Sequence, residues 1–177
     1  MPTDLKLPEL RKLDRDEQNG LILEDGNRIL SFRLTTFQAL IERLSAMAGD
    51  KVAKTILNGL GREIGKTTFE YSRHKLAPEN LGEIFDQVVR SRGWGRCLSI
   101  QSQPNEPVYA VTMANCPLCY EQEANEPKCD LMRGLVTGLL EAFSHKTARS
   151  AVETNCAAIG GKFCIFEITM EHRTPRA

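Results

Sequence analysis

The sequence predicts an α+β domain in which several helices pack against an antiparallel sheet of about four or five strands. Two patterns predict this class. Apolar residues recur at helical spacing in the middle of the chain and again after residue 129, while short alternating segments bounded by turn residues come in pairs. The 177 residues, 41% hydrophobic and 26% charged, suit one globular domain. We predict an arm at 1–19, one domain at 20–172 and a tail at 173–177.

The first elements are an arm and a hairpin. The polar arm is expected to be loosely held, with room for one short helix. The apolar segments 21–23 and 29–32 flank a turn at 24–27, where Asp25 and Gly26 favour a hairpin. The sequence therefore predicts a pair of strands before the first helix.

Two helices follow. Thr35 or Thr36 is predicted to cap the first, and Gly49 to end it. The second begins at Asp50. Apolar residues three or four apart predict the core-facing stripes, which are Phe37, Leu40, Ile41, Leu44 and Met47 in the first helix and Val52, Ile56, Leu60 and Ile64 in the second.

The second helix contains Gly59, Gly61 and Gly65. Each glycine costs a helix about 1 kcal/mol relative to alanine. So many glycines indicate that something approaches this helix closely. Two interpretations stay open, namely a neighbouring helix backbone and a wall that faces a ligand.

The remaining chain predicts two more helices and two pairs of strands. A third helix starts at Pro78 and carries Leu81, Ile84, Phe85, Val88 and Val89. Strands at 97–101 and 108–113 follow, and a long helix begins after Pro127. Gly134 and Gly138 lie one turn apart in that helix, and strands at 150–156 and 162–170 close the domain.

Three cysteines and a glutamate near the end of the chain indicate a metal site. Cys129 heads the last helix, Glu153 and Cys156 lie three residues apart, and Cys164 follows eight residues later. Gly160 and Gly161 permit the tight turn that folds the last two thiols together. Three thiolates and a carboxylate are a tetrahedral ligand set for closed, structural zinc. The alternative is that these cysteines are small buried hydrophobes.

Cys116 and Cys119 leave the fourth ligand open. This Cys-x-x-Cys pair can replace Glu153 in the metal site, form a separate redox pair or be structurally inert. The acidic segment that follows is expected to oppose a strongly lowered thiol pKa. Cys97 has no partner in sequence and is predicted to be a core residue.

These segments carry a resemblance. The stretch 133–140 after Cys129, the run 152–156 and the run 160–168 resemble the closing block of the 4-vinyl reductase domain family, and 61–66 with 93–96 fit the same pattern. The resemblance covers roughly residues 20–170. It implies a fold shared with phenol-sensor domains of transcription regulators and with lipid-holding TRAPP trafficking subunits. It also implies zinc at Cys129, Glu153, Cys156 and Cys164, from which the Cys116 and Cys119 pair departs.

The resemblance further implies a non-catalytic module that binds a small hydrophobic or aromatic ligand. A tetrapyrrole would fit a role in chlorophyll-related metabolism or photosystem assembly, and a homodimer with a protein partner in an assembly complex is expected. Periodicity and resemblance together place the ligand between the helices at 37–47, 50–71 and 129–143 and the sheet. The predicted wall residues are Ile64, Phe69, Trp94, Met113 and Leu135.

Two alternatives from other classes remain. The domain can be an accessory component of vinyl-group reduction, although the sequence offers no nicotinamide, flavin or iron-sulfur motif to supply electrons. It can also be a thiol-redox or metal-sensing protein that uses Cys116 and Cys119.

Charge and hydropathy exclude several classes. The 23 acidic and 23 basic residues cancel, which argues against nucleic-acid binding through a basic stripe. No secretory signal or spanning segment is visible, so we expect a cytoplasmic protein that reaches a membrane only through a partner. His74 and His145 are expected near helix ends, where cations are favoured, and His172 in the tail. We therefore predict no catalytic residue.

Overall fold

Three short strands form a small antiparallel sheet at the amino-terminal end of the described chain. The structure is a computed structural model that describes residues 13–24, 26–73, 80–102 and 107–171. Strands β1 (Leu13–Asp16), β2 (Leu21–Glu24) and β3 (Asn27–Ile29) pair in the order β1-β2-β3. The predicted hairpin forms, since Glu24 pairs with Asn27 across Gly26, whose φ is 83°. Its second strand is shorter than predicted, because Leu30 and Phe32 lie beyond β3 and are exposed. Asp25 and residues 1–12 lie outside the described residues.

A strand takes the place of the short helix expected in the arm. Asp16 accepts hydrogen bonds from the backbone N–H of Asn19 (3.1 Å) and from its side-chain Nδ2 (2.8 Å). These bonds stabilise a turn, which returns the chain so that β1 can pair with β2. The expectation of a helix is therefore wrong for Leu13–Asp16.

Helix α1 (Leu34–Ala48) begins one residue before the predicted caps. Its N-cap is Arg33, and no side chain caps it, so the prediction of Thr35 or Thr36 is wrong. Gly49, with φ 78°, ends it as predicted. Phe37, Ile41 and Leu44 pack against the core, but Leu40 and Met47 are 64% and 85% exposed.

Helix α2 (Asp50–Ser72) buries a different face from the one predicted. Val52, Ile56 and Leu60 are each about half exposed. The buried face lies one residue further along, about 100° around the helix. Its members are Ala53, Leu57, Gly61, Gly65, Thr68 and Ser72. Small side chains decide this face because they let a neighbouring helix approach.

Helix α3 (Leu81–Ser91) has a clear N-cap. The Oδ1 of Asn80 accepts a hydrogen bond from the N–H of Glu83 at 2.8 Å. The helix thus starts later than the predicted Pro78, which lies outside the described residues. Its predicted apolar residues Ile84, Phe85, Val88 and Val89 are buried.

Helix α4 (Asp130–Ser144) is the partner of α2. A Cβ added at Gly61 would lie 2.9 Å from backbone atoms of Leu131 and Leu135, and one added at Gly134 would lie 2.9 Å from the nitrogen of Arg62. Gly65 and Gly138 are equally confined, whereas Gly59 has no atom within 4 Å. Of the two interpretations, close approach of a helix backbone is confirmed for Gly61 and Gly65.

The main sheet has four antiparallel strands in the order β4-β5-β7-β6. The strands are β4 (Arg96–Ser102), β5 (Val108–Ala114), β6 (Thr147–Asn155) and β7 (Cys164–Glu171). The predicted α+β class and strand number are confirmed. Buried Val111 pairs with buried Phe166, and Met113 with Cys164. Helix α4 contacts α2 as well as β6 and β7, so it is buried on most of its surface.

Candidate metal centre and ligand pocket

Five cysteines converge at the amino-terminal end of α4. Cys116 and Cys119 lie in the turn after β5, Cys129 is the N-cap of α4, Cys156 follows β6, and Cys164 begins β7. All are buried except Cys119, which is partly exposed. Segments far apart in sequence therefore deliver five thiols to one place.

The spacing of these sulfurs suits one tetrahedral ion. The Sγ of Cys129 lies 3.8 Å from those of Cys156 and Cys164. The Sγ of Cys119 lies 3.0, 3.6 and 3.5 Å from the sulfurs of Cys129, Cys156 and Cys164. A zinc–sulfur bond of about 2.3 Å corresponds to sulfur–sulfur edges of about 3.8 Å. The distances are thus close to those around a single metal ion.

Two overlapping ligand sets have all their donor atoms within 4.8 Å of one another. The first is the predicted set Cys129, Glu153, Cys156 and Cys164. The second joins Cys116 and Cys119 to Cys129 and Cys164. The structure therefore brings together every predicted ligand, and it also brings the Cys-x-x-Cys pair to the same site.

Glu153 connects β6 to the start of α4. Its Oε2 accepts a hydrogen bond from the Cys129 N–H at 2.9 Å. Its Oε1 is buried and has no hydrogen-bond partner within the described parts of the chain. Burial raises the pKa of this carboxyl above its usual value of 4.5. A buried oxygen without a partner beside several thiols fits a site built for a cation.

The thiols differ in acidity. Hydrogen bonds from the Cys116 and Cys129 thiols lower the pKa of Cys119, whereas the same contact with Cys119 raises the pKa of Cys116. Burial raises the pKa of Cys156 to about 12. The predicted opposition of the acidic segment is not among the main causes at Cys119, whose pKa is lowered chiefly by its sulfur neighbours. Metal binding would deprotonate the ligating thiols.

Two turns position the outer cysteines. The Cys119 N–H donates to the Cys116 carbonyl at 3.1 Å, which closes the Cys-x-x-Cys turn. In the last hairpin Gly160 has φ 89°, as predicted. Gly161 is needed for space instead, because an added Cβ would lie 2.6 Å from Nδ2 of Asn155. The Ala157 N–H points to the Cys164 sulfur at 3.5 Å.

Cys97 lies apart from the cluster. It is 6% exposed in β4, and burial raises its pKa to about 12. Such a thiol is unreactive at neutral pH. The prediction of a core cysteine is confirmed.

The five predicted wall residues share one core but differ in burial. Met113 and Leu135 are fully buried, whereas Ile64, Phe69 and Trp94 are partly buried against that core. Trp94 makes an edge-to-face contact with Phe37 of α1, with ring centroids 6.3 Å apart. Trp94 is thus the wall residue in ring contact with α1.

Sequence reasoning missed an open cavity of about 470 Å³, lined mainly by residues with ionisable side chains, near the carboxyl end of α4. Arg62 forms a two-pronged ion pair with buried Glu141, and Lys66 lies 3.4 Å from the same carboxylate. The cavity is lined by Arg62, Lys66, Glu70, Glu141, Ala142, His145, Lys146 and Thr147. Charge alone does not predict it, because the pairing needs the glycine contacts that align α2 with α4.

Of the three histidines, His145 lies within the part of the chain that the structure describes. It follows α4 directly, at the predicted helix end, and has a left-handed φ of 56°. His74 and His172 lie outside the described residues. Among the residues that the structure describes, no helix is both long and apolar enough to span a bilayer.

The fold is similar to that of two solved domains. The structure superimposes on the phenol-responsive sensory domain of the transcription activator PoxR with phenol, with a TM-score of 0.71 and 19% identity over 89% of this chain and 84% of that one. It also superimposes on subunit 3 of a trafficking protein particle complex from Naegleria fowleri, covalently bound to palmitic acid, with a TM-score of 0.61 and 15% identity over 78% and 93%. At these identities the likeness shows the fold alone.

The sequence comparisons point to the vinyl-4-reductase domain. Residues 109–170 match the vinyl-4-reductase (V-4-R) domain family, which confirms the resemblance to the 4-vinyl reductase domain family over this part of the chain. The chain is 25% identical over 141 residues to the uncharacterised protein MJ0150 of Methanocaldococcus jannaschii, which covers 79% of this chain and 77% of that protein.

Proposed function

We propose that this chain is a non-catalytic ligand-binding module that holds a small apolar or aromatic molecule beside a structural zinc ion. The observation that carries the proposal is the fold shared with a phenol-responsive domain over 89% of this chain. An apolar ligand held by this chain would interact chiefly through buried hydrophobic and aromatic side chains.

The wall residues support a place for this ligand at the edge of the core, next to α1. Met113 and Leu135 would form its floor, because both are fully buried. Ile64, Phe69 and Trp94 would form its sides, because each is only partly buried. Helix α1 has no buried residue, so less packing opposes its displacement than opposes that of the other helices. A ligand would therefore enter between α1 and the core.

The binding test uses phenol and palmitate as probes. Trp94 is the only tryptophan of the unmodified chain, so its fluorescence reports on this position there, and calorimetry, which an added tryptophan does not disturb, compares the variants. Ile64→Trp should fill the space and weaken binding at least tenfold. Leu98→Trp is the matched control, because Leu98 is 47% exposed on β4 and should leave binding unchanged.

Two results would contradict this proposal. One is that neither probe saturates the protein, and the other is that both tryptophan variants bind like the wild type. An absorption spectrum of protein from its native host tests the tetrapyrrole prediction separately, because a Soret band would identify that ligand class. The homodimer and the assembly partner stay predictions. Light scattering of the purified protein tests the homodimer, and co-purification from the native host tests the partner.

The zinc would act as a structural clamp. Cys129, Cys156 and Cys164 would supply three ligands, and either Glu153 or the Cys-x-x-Cys pair the fourth. Four protein ligands leave no position for a catalytic water. The ion would join the start of α4 to the closing hairpin, and metal analysis of the purified protein should find about one equivalent.

A further inference from the structure

We infer that Cys119 provides the fourth ligand, so that the metal site is a tetrathiolate of Cys119, Cys129, Cys156 and Cys164. This inference rests on the proposal that a metal ion occupies the cysteine cluster. It departs from the three-cysteine and one-glutamate set that the resemblance implies. It also assigns a role to a Cys-x-x-Cys pair whose function the sequence leaves open.

The sulfur positions favour this set. Cys119 lies within 3.6 Å of each of the other three sulfurs, and Cys129 lies 3.8 Å from Cys156 and from Cys164. The sulfurs of Cys156 and Cys164 are within 4.8 Å of each other. A tetrahedral tetrathiolate needs six edges of about 3.8 Å. Small side-chain shifts, one of them lengthening the 3.0 Å edge between Cys119 and Cys129, would therefore complete the site.

The turn that carries Cys119 is fastened to the rest of the domain. Nε2 of Gln38, on α1, donates to the carbonyls of Pro117 (3.3 Å) and Tyr120 (3.2 Å). The Ala124 N–H donates to the Ala158 carbonyl in the last hairpin at 2.9 Å. These contacts hold the turn over the other thiols, so the ordering cost of bringing in Cys119 is already met by the fold.

Glu153 and Cys116 then support the ligands from outside. Glu153 positions Cys129, because its Oε2 accepts the backbone N–H of that residue. Cys116, 3.5 Å from the Cys129 sulfur, would donate its S–H to that thiolate. The competing assignment relies on Oε1 of Glu153, which is buried without a partner in the described structure. The other oxygen of Glu153, Oε2, already accepts the Cys129 N–H. Cys119, in contrast, is close to the sulfurs of Cys129, Cys156 and Cys164, which both assignments share.

X-ray absorption at the zinc edge of the purified protein tests the ligand count. We expect four sulfurs at about 2.3 Å and no oxygen at about 2.0–2.2 Å. Three sulfurs with one oxygen would overturn this inference and leave the structural zinc in place. A protein that binds no zinc at all would instead overturn the proposed metal clamp.

Cobalt-substituted variants identify the ligand. The thiolate-to-cobalt absorption scales with the number of bound thiolates, so Cys119→Ser should lower it by about a quarter. Cys97→Ser is the matched control and should keep the wild-type intensity, because Cys97 is buried in β4 apart from the cluster. An unchanged intensity in Cys119→Ser, or a loss of about a quarter in Cys116→Ser, would count against this tetrathiolate. If a variant fails to fold, the wild-type absorption edge still decides.

Discussion

Replacing Gly61 by alanine should destabilise the domain although alanine is the better helix former. The new Cβ would overlap the Leu131 carbonyl oxygen and would lie 2.9 Å from the Leu131 carbon and the Leu135 nitrogen, all inside the 3.0 Å below which an atom must shift. All three are backbone atoms, so no rotamer change relieves the contact. Overpacking costs about 1–3 kcal/mol, and we take the upper end for a rigid backbone. Helix propensity returns about 1 kcal/mol, which leaves a net loss of about 2 kcal/mol.

Gly59→Ala is the matched control, because Gly59 lies in the same helix with no atom within 4 Å. It should gain up to about 1 kcal/mol. In a domain of this size each kcal/mol shifts the melting temperature by about 2–4 °C, so Gly61→Ala should melt roughly 4–8 °C lower and Gly59→Ala slightly higher. Circular dichroism and urea unfolding at fixed zinc measure both. Equal stability of the two variants would refute the reasoning from backbone contact.

Three further predictions concern other parts of the domain. Cys129→Ser should lose most of its zinc and melt at a lower temperature, whereas Cys97→Ser should keep its zinc; equal zinc content in both would contradict the clamp. Glu141 is buried, but hydrogen bonds from its arginine partner lower its pKa below 4.5. Its contribution to the free energy of unfolding is therefore complete above pH 4.5 and is lost as the pH falls through the lower pKa of the folded state. Glu141→Gln should therefore weaken the pH dependence of the urea unfolding midpoint over that range. Asn80→Ala should lower the free energy of unfolding, measured in urea, by about 1 kcal/mol through loss of the α3 cap. Asn80→Asp should retain most of the stability that the cap provides.

The elements could be predicted from sequence more reliably than their faces. Hydrophobic spacing identified α2 correctly but assigned its core face to Val52, Ile56 and Leu60. That reasoning weighs side-chain hydrophobicity, and a glycine contributes nothing to it. In the structure the absence of a side chain at Gly61 and Gly65 is what permits the closest packing, so the buried face follows the glycines. The matching pair in α4, Gly134 and Gly138, is also four residues apart, and this match could have indicated the buried face of α2.

The cysteine cluster was partly predictable for a different reason. Cys156 and Cys164 flank a short hairpin, so their proximity follows from local geometry. The meeting of Cys129 with Glu153 rested on ligand chemistry and on the resemblance, because a helix start and a distant strand have no fixed relation in sequence. The place of Cys119 depends on where a turn points, which is set by long-range hydrogen bonds from Gln38. Spacing along the chain does not contain that information.

Arg62 fixes the position of α2 along α4. Gly134 fits against its nitrogen, Gly138 fits against its carbonyl, and its guanidinium holds Glu141. Sliding one helix along the other would push side chains into the backbone and break the ion pair. A shift of one helical turn between α2 and α4 is therefore strongly disfavoured. The two helices thus form a rigid frame. Any movement on binding of the proposed ligand would therefore involve α1. Because Gln38 of α1 donates hydrogen bonds to the cysteine turn, this movement would reach the proposed metal site.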